Sequence, residues 1–231
     1  MALKFTTAAL LLASGAVAVP SGGLGARQGN CPPVHVFGAR ETTVPPGMGS
    51  AGQVVNSIVQ AHPGATSEAI NYPAAGDNAY GSSVQQGTQA VADQVNSFAQ
   101  RCPDTELVLV GYSQGAQIMD NAICGGGDPG QGWTNTDVLI TGSVADQVKA
   151  VILMGDPRHT PGLPYNVGTS NAPGFDPRPS GFVCPAADKI QSYCDAADPY
   201  CSNGNNAQTH QSYGYVYGQQ ALDFVNEKLS D

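Results

Sequence analysis

Two kinds of apolar pattern alternate along the chain. Short apolar runs predict five strands, at residues 34–37, 69–73, 106–110, 148–154 and 189–193. Segments whose apolar residues recur every three or four positions predict four helices, at residues 52–59, 82–100, 114–124 and 208–229. This alternation predicts an α/β fold, a three-layer α/β/α sandwich in which a central parallel sheet lies between helical layers. In such a fold the functional site lies at the carboxyl ends of the strands.

The runs at 106–110 and 148–154 are almost continuously apolar. Runs of this kind are typical of strands that are buried on both faces of a parallel sheet. Residues 158–180, by contrast, are rich in Pro, Gly and Asn. This composition predicts a long loop after the second buried strand.

The N-terminal residues have the pattern of a secretory signal peptide. Lys4 precedes a short apolar run, and Ala16-Val17-Ala18 matches a small-residue cleavage site. We therefore assign residues 1–18 to a signal peptide and expect the protein to be secreted to the extracellular space. Residues 19–27 are a candidate propeptide, and residues 28–231 then form a single domain. The apolar run is too short to span a membrane, so we expect no membrane partner.

Charge excludes some classes of partner. Charged residues make up only 12% of the chain, and the net charge is −9 at pH 7. Because the chain has no basic stripe, we expect no nucleic-acid partner. A neutral carbohydrate or an uncharged ester fits these electrostatics better than a polyanion does. No feature of the sequence indicates an oligomer, so a monomer is expected.

Six cysteines follow the predicted signal peptide: Cys31, Cys102, Cys124, Cys184, Cys194 and Cys201. An even number of cysteines in a secreted chain predicts three disulfides, although the residues alone do not determine the pairing. No pair has the Cys-x-x-Cys spacing of a metal site, and we therefore expect no metal.

The segment Gly111-Tyr112-Ser113-Gln114-Gly115 lies directly between a predicted strand and a predicted helix. A Gly-x-Ser-x-Gly turn in this position forces the serine into a strained conformation, so that its hydroxyl projects at the top of the sheet. The N-terminus of the following helix favours negative charge in the transition state. An incidental serine in a Gly-rich turn is the alternative, but the flanking strand and helix favour the nucleophile of an α/β-hydrolase.

A serine nucleophile needs a base, and in this fold the chain order is serine, acid, histidine. Only His159 and His210 follow Ser113. His210 comes after a late loop between two cysteines, and from this position a base would reach the nucleophile. Chain order alone does not exclude His159 as the base. Three acids are candidates, in this order of preference: Asp198, Asp195 and Asp156.

Four segments of the chain resemble carbohydrate esterase family 5, the fungal acetylxylan esterases and cutinases. They are His35–Thr43, Val110–Gly115, Met154–Pro157, and Ser192–Cys201 together with Thr209-His210. The first and the last resemble the acetylxylan esterase branch in particular. The similarity covers the whole predicted mature chain, which would then be one catalytic domain of the small, cutinase-like α/β-hydrolase kind.

The resemblance implies a triad of Ser113, Asp198 and His210. It also implies an oxyanion hole formed by the backbone N–H of Gln114 and by the backbone N–H and hydroxyl of Thr42. In the implied mechanism the serine forms an acyl-enzyme that water then hydrolyses, without a metal or an organic cofactor. The pairing that it implies is Cys31–Cys102, Cys124–Cys184 and Cys194–Cys201.

Three functions are compatible with these residues. The first is an acetylxylan esterase acting on an acetylated polysaccharide, and the second is a cutinase or broad lipolytic esterase acting on longer acyl chains or small esters. The polar, Pro/Gly-rich segment 158–182 favours the first, because a cutinase needs apolar loops. The third is a catalytically silent carbohydrate-binding protein, which should lack a triad residue. The lone Trp133 is a candidate sugar platform, although half-buried packing is the more common role.

Overall fold

The computed structural model describes residues 31–230, together with residues 1 and 2. The rest of the predicted signal peptide and the candidate propeptide lie outside the described residues. The strands are β1 Val34–Ala39, β2 Thr66–Ala69, β3 Glu106–Tyr112, β4 Val148–Met154, β5 Asn166–Val167 and β6 Ile190–Tyr193. The α-helices are α1 Ala51–Ala61, α2 Tyr80–Arg101, α3 Gln114–Cys124, α4 Gly142–Gln147, α5 Ala207–His210, α6 Tyr213–Val216 and α7 Gly218–Lys228.

The strands form one sheet in the order β2-β1-β3-β4-β6-β5. Every strand pair in it is parallel, and β1 pairs with β3 from Val34 opposite Glu106 to Ala39 opposite Gly111. The chain moves outward from β1 to β2 and then returns to the other side of β1 to form β3. Crevices at such reversals are the usual ligand sites of open parallel sheets. The loop after β1 and the turn after β3 meet at this point.

The two faces of the sheet are covered by different helices. Leu107 and Leu109 of β3 belong to the apolar core that includes α2 and α3, whereas Val108 and Val110 belong to the core that includes α1 and α7. Successive side chains of a strand point to opposite faces, so both faces of β3 must be apolar, as its continuous run predicts. The three-layer α/β/α prediction is therefore confirmed.

Three disulfides lie at the margins of these layers. Cys31 is bonded to Cys102, Cys124 to Cys184, and Cys194 to Cys201, as the resemblance implied. The first joins the chain before β1 to the end of α2, and the second joins the end of α3 to the loop before β6. The third closes a short loop directly after β6.

The strand predicted at 69–73 is wrong, because β2 ends at Ala69. Ile70 and Tyr72 are buried, but the backbone oxygens of this segment accept hydrogen bonds from the guanidinium of Arg40 instead of from a strand. The apolar residues here pack into the core without entering the sheet. Apolar runs of this length do not distinguish a strand from a buried turn.

The single helix predicted over 208–229 is also wrong, since α5, α6 and α7 divide this segment. The interruptions lie at Gln211-Ser212 and at Tyr217, and Ser212, Tyr217 and the following Gly218 are residue types of lower helix propensity. The first interruption leaves His210 at the end of a short helix of its own. The loop predicted at 158–180 contains the short strand β5, which forms an outer edge of the sheet. The helix α4, which precedes β4, was not predicted.

Candidate active site

Ser113 occupies the turn between β3 and α3 in a strained conformation. Its φ of 54° and ψ of −120° lie in a region that non-glycine residues rarely adopt. A Cβ at Gly111 would lie 2.5 Å from the backbone oxygen of Gly115, and a Cβ at Gly115 would lie 2.2 Å from that of Ala39. Both glycines are therefore required by close backbone approach. The backbone N–H of Ser113 donates to Met154 at 2.8 Å, which ties the turn to β4.

Asp198 and His210 are in direct contact. Nδ1 of His210 lies 2.7 Å from Oδ2 of Asp198, and the carboxylate is fully buried. The other carboxylate oxygen accepts the backbone N–H groups of Tyr200 at 2.6 Å and Cys201 at 3.1 Å. Burial opposes ionisation of this carboxyl, but the hydrogen bond and charge of His210, together with the other donors, hold the pKa of Asp198 below its usual range.

The position of His210 is fixed from two further sides. Its backbone oxygen accepts a 2.5 Å hydrogen bond from the hydroxyl of Tyr112, the residue before the serine. Its ring lies 4.5 Å from the ring of Tyr200, measured between centroids. Ser113 and His210 line one cleft, of about 940 Å³. The structure thus brings the three residues of the implied triad to the same site.

Thr42 lies on the loop after β1 and lines this cleft with Ser113. The side chain of Gln114 is buried and holds the facing loop, because its Oε1 accepts from Ser83 and its Nε2 donates to the backbone of Ala75 at 2.9 Å. The next residue of the first loop, Thr43, has a φ of 63° and donates its N–H to Ala74 at 2.7 Å. Gln114, at the start of α3, and the loop that carries Thr42 are therefore both bonded to the same short segment, Ala74-Ala75.

The loop that carries Thr42 is also held by a buried arginine. Arg40 donates to the backbone oxygens of Val44 at 2.8 Å, Tyr72 at 2.6 Å and Pro73 at 3.2 Å. The hydroxyl of Tyr72 returns a 2.6 Å hydrogen bond to the backbone oxygen of Arg40. A planar guanidinium has five donors, and here it joins both sides of the loop at once.

The alternative acids and bases lie elsewhere. Asp195 accepts from Thr169 and from the hydroxyl of Tyr217, both at 2.8 Å, and so fixes the loop after β6. Asp156 is buried and accepts the backbone N–H of Arg158, and burial followed by the charge of Asp120 raises its pKa well above the usual value. Neither of these acids contacts His210 in the hydrogen-bond network of the described residues.

The remaining histidines and the tryptophan have structural surroundings. Burial lowers the pKa of His159 to about 4, and its ring nitrogens have no hydrogen-bond partner among the described residues. His35 lies within β1 and stacks on Phe98, and the half-buried ring of His62 contacts Asn226. Trp133 is half-buried, and its backbone pairs with that of Asp128 in an isolated bridge.

Sequence reasoning did not identify the tyrosine that contacts the acid. The hydroxyl of Tyr213 donates to Asp198 at 2.7 Å, and the side chain is completely buried. No pattern in the sequence indicated it, because Tyr213 begins α6 and contacts Asp198 across the loop that follows β6. The aromatic residues Tyr80, Phe175 and Tyr200, which line the cleft, were also missed as a group.

Two further observations concern the part of the chain that the structure describes. No three side chains of His, Cys, Asp or Glu are grouped there so that they could hold a metal ion. None of its helices is both long enough and apolar enough to cross a membrane.

Comparison with known proteins identifies the family. Residues 30–229 match the family model described as Cutinase. The chain is 63% identical over 230 residues to Cutinase 11 of Verticillium dahliae, covering 97% of this chain and 77% of that protein. It is 59% identical over 228 residues to Acetylxylan esterase 2 of Talaromyces purpureogenus, covering 96% and 97%.

A solved structure supports the same assignment. The catalytic core domain of acetyl xylan esterase from Trichoderma reesei is 63% identical and superimposes with a TM-score of 0.84, covering 86% of this chain and 99% of that one. The family match includes β1 to α7 and all the residues of the cleft. The chain therefore belongs to the cutinase family and is a carboxylic ester hydrolase.

Proposed function

We propose that this protein is a secreted serine esterase that removes acetyl groups from acetylated xylan. The observation that carries the substrate is the mixed lining of the cleft beside Ser113, where the polar side chains of Glu41, Ser50 and Asp77 lie together with aromatic rings. Carboxylates accept hydrogen bonds from sugar hydroxyls, and hydroxyls both accept and donate them, whereas burying these groups against a long alkyl chain carries a desolvation cost. The names of two similar proteins, both acetylxylan esterases, support the same substrate.

The proposed chemistry uses Ser113 as nucleophile and His210 as base. The serine hydroxyl attacks the ester carbonyl while Nε2 of His210 takes its proton, and Asp198 stabilises the imidazolium through Nδ1. The proton then passes to the leaving sugar oxygen, and water attacks the acetyl-enzyme by the same route in reverse. The backbone N–H of Gln114 and the N–H and hydroxyl of Thr42 would stabilise the oxyanion. No step needs a cofactor.

The organisation of the chain is part of the proposal. We assign residues 1–18 to a signal peptide, 19–27 to a propeptide and 28–231 to one catalytic domain, which acts as an extracellular monomer. The family match at 30–229 supports these limits of the domain, and three disulfides support an oxidising compartment.

A cutinase or broad short-chain lipolytic esterase is the second candidate, because one relative with 63% identity is named Cutinase 11. The test is acetate release from acetylated xylan, run beside p-nitrophenyl esters of increasing acyl length. We expect acetate from xylan and a steep fall in rate beyond short acyl chains. Cleavage of long esters with xylan untouched would support the second candidate instead. Activity that survives Ser113→Ala would refute the proposed nucleophile.

A further inference from the structure

Three aromatic side chains form a rim on the cleft that contains Ser113: Tyr80, Phe175 and Tyr200. Phe175 keeps 52% of its surface exposed, and Tyr200 keeps 44%. The rings of Tyr80 and Phe175 meet edge to face, with their centroids 5.7 Å apart. A single exposed aromatic is common, but two exposed rings, one of them in contact with a third aromatic, beside one catalytic cleft call for a ligand.

The backbone on both sides of Phe175 is fixed. Its N–H donates to the backbone oxygen of Tyr200 at 3.0 Å, and the neighbouring N–H groups of Gly174 and Asp176 donate to His159 and Pro157. A Cβ at Gly174 would lie 2.2 Å from the backbone oxygen of Pro157, so only glycine fits this approach. The exposed ring is therefore held by a rigid segment and is not carried by a free loop.

A buried network beneath the rim joins Tyr80 to the residue after Phe175. The hydroxyl of Tyr80 donates to Oε1 of Gln117 at 2.5 Å, and Nε2 of Gln117 donates to Oδ2 of Asp176 at 2.8 Å. The same Nε2 contacts Asp128 at 2.8 Å, and Arg158 pairs with Asp128 at 2.9 Å. Buried ion pairs add little net stability, because desolvation offsets their attraction. What this network does is to fix the two rings relative to each other.

The geometry points to Phe175 as the platform on which a pyranose ring of the acetylated polysaccharide lies while its acetyl group enters the site of Ser113. This inference rests on the proposed function and names the subsite that recognises the sugar. A pyranose has an apolar face of C–H groups and an equatorial rim of hydroxyls. The aromatic rim fits the first, and the exposed carboxylate of Asp77 in the same cleft can accept from the second.

The test compares Phe175→Ala, Phe175→Tyr and Phe175→Leu with the wild type, with Val183→Ala as the matched control. Val183 is an exposed apolar residue that does not line the cleft. The measured quantity is the ratio of kcat/KM for an acetylated xylo-oligosaccharide to kcat/KM for ethyl acetate, whose leaving group has no ring. We expect this ratio to fall about tenfold in Phe175→Ala, because only the sugar loses an apolar contact with the ring of Phe175. Phe175→Tyr should retain the ratio, and Val183→Ala should not change it.

Phe175→Leu distinguishes a sugar from an acyl chain. Leucine keeps most of the apolar surface but has no ring face, so it should resemble Phe175→Ala if a pyranose stacks there. Full recovery of the ratio by leucine would overturn the inference in favour of an alkyl group. An equal loss of activity on both substrates would also overturn it, because it would assign Phe175 a structural role.

A second measurement separates this inference from the proposed function. An unacetylated xylo-oligosaccharide is used to inhibit p-nitrophenyl acetate hydrolysis, and its inhibition constant is compared among the same variants. The inference requires inhibition of the wild type that weakens about tenfold in Phe175→Ala. The expected inhibition does not depend on whether the wild type releases acetate from xylan. Acetate release tests the proposed function alone. Absence of inhibition, or equal inhibition of all variants, would refute the platform.

Discussion

The hydroxyl of Tyr213 donates a 2.7 Å hydrogen bond to Oδ2 of Asp198, the same oxygen that receives Nδ1 of His210 at 2.7 Å. The tyrosine oxygen also accepts the backbone N–H of Asp195 at 3.0 Å. Because that N–H can only donate, the proton of the tyrosine is directed to Asp198. Burial raises the pKa of Tyr213, so the hydroxyl stays protonated and remains a donor. Tyr213 is therefore a positioning residue for the proposed catalytic acid.

Replacing Tyr213 by phenylalanine removes this donor and keeps the ring. A hydrogen bond to a charged group contributes about 1.5 to 3 kcal/mol, so we expect kcat to fall about tenfold or more, with KM for p-nitrophenyl acetate little changed. The pKa of Asp198 should rise toward its ordinary value, because this hydrogen bond helps to lower it. On acidification, the variant should then lose activity at a higher pH than the wild type does. A pH profile of kcat/KM measures this shift.

Tyr217→Phe is the matched control, because the hydroxyl of Tyr217 bonds to Asp195 and not to Asp198. We expect it to leave the acidic limb of the profile in place. A Tyr213→Phe variant with an unchanged profile and only a lower Tm would give this tyrosine a merely structural role.

The disulfides should differ in what they stabilise. Cys194–Cys201 closes a loop with a sequence separation of 7 that carries Asp198, whereas Cys31–Cys102 has a separation of 71 and lies away from the cleft. Loop entropy predicts that removing the short bridge costs about 2.5 kcal/mol and the long one about 4 kcal/mol. We nevertheless expect the double substitution to alanine at Cys194 and Cys201 to lower kcat more. Unfolding in urea measures which disulfide contributes more to stability. The kcat for p-nitrophenyl acetate, measured below the unfolding transition, shows which disulfide contributes more to activity.

The strands with continuous apolar runs were predictable, and so was the nucleophile between β3 and α3. Glycines at both ends of the turn are required by backbone contacts that any tight strand-to-helix turn would produce, and so the motif could be interpreted without coordinates. The edge strand β2 was not predictable in the same way. Its residues Thr66–Ala69 are mostly polar, because this strand pairs with a neighbour on one side only. The apolar residues that follow it, Ile70 and Tyr72, are buried in the core.

The tertiary partners of the site were the least predictable part. Residues alone left Asp198, Asp195 and Asp156 open, since all three follow Ser113 and lie near strand ends. What distinguishes them is which carboxylate contacts His210, and that depends on how the chain turns after β6. Tyr213 was missed for the same reason, because a polar contact across a loop leaves no periodic signal.

Gly115 offers a direct test of the turn at the nucleophile. Gly115→Ala should destabilise the fold by about 3 kcal/mol or more and abolish activity, because its Cβ would lie 2.2 Å from a backbone oxygen that cannot move without β1. Gly218→Ala is the control, since nothing lies within 4 Å of a Cβ at this helix position. It should be neutral or should stabilise α7 slightly. Thermal unfolding of both variants measures the contrast, and equal Tm values would contradict it.

His35 should make stability depend on pH. Burial, and then the charge of Arg101, lower its pKa to about 4, although Glu68 lies 3.8 Å from its ring. In the unfolded chain this residue is protonated near pH 6.5. Between about pH 6.5 and pH 4 the unfolded chain therefore binds more protons than the folded chain, and the free energy of unfolding decreases as the pH is lowered.

His35→Leu cannot titrate at this position, and the other groups of the protein largely cancel in a difference between the two proteins. The stability of the wild type relative to this variant should therefore fall by about 2 kcal/mol between pH 7 and pH 5. Loss of the 2.6 Å contact between His35 and Thr66 adds an offset that does not depend on pH. Urea unfolding at both pH values measures the change. If His35 were instead protonated and paired with Glu68, its pKa in the folded chain would be raised. The stability of the wild type relative to the variant would then increase as the pH is lowered.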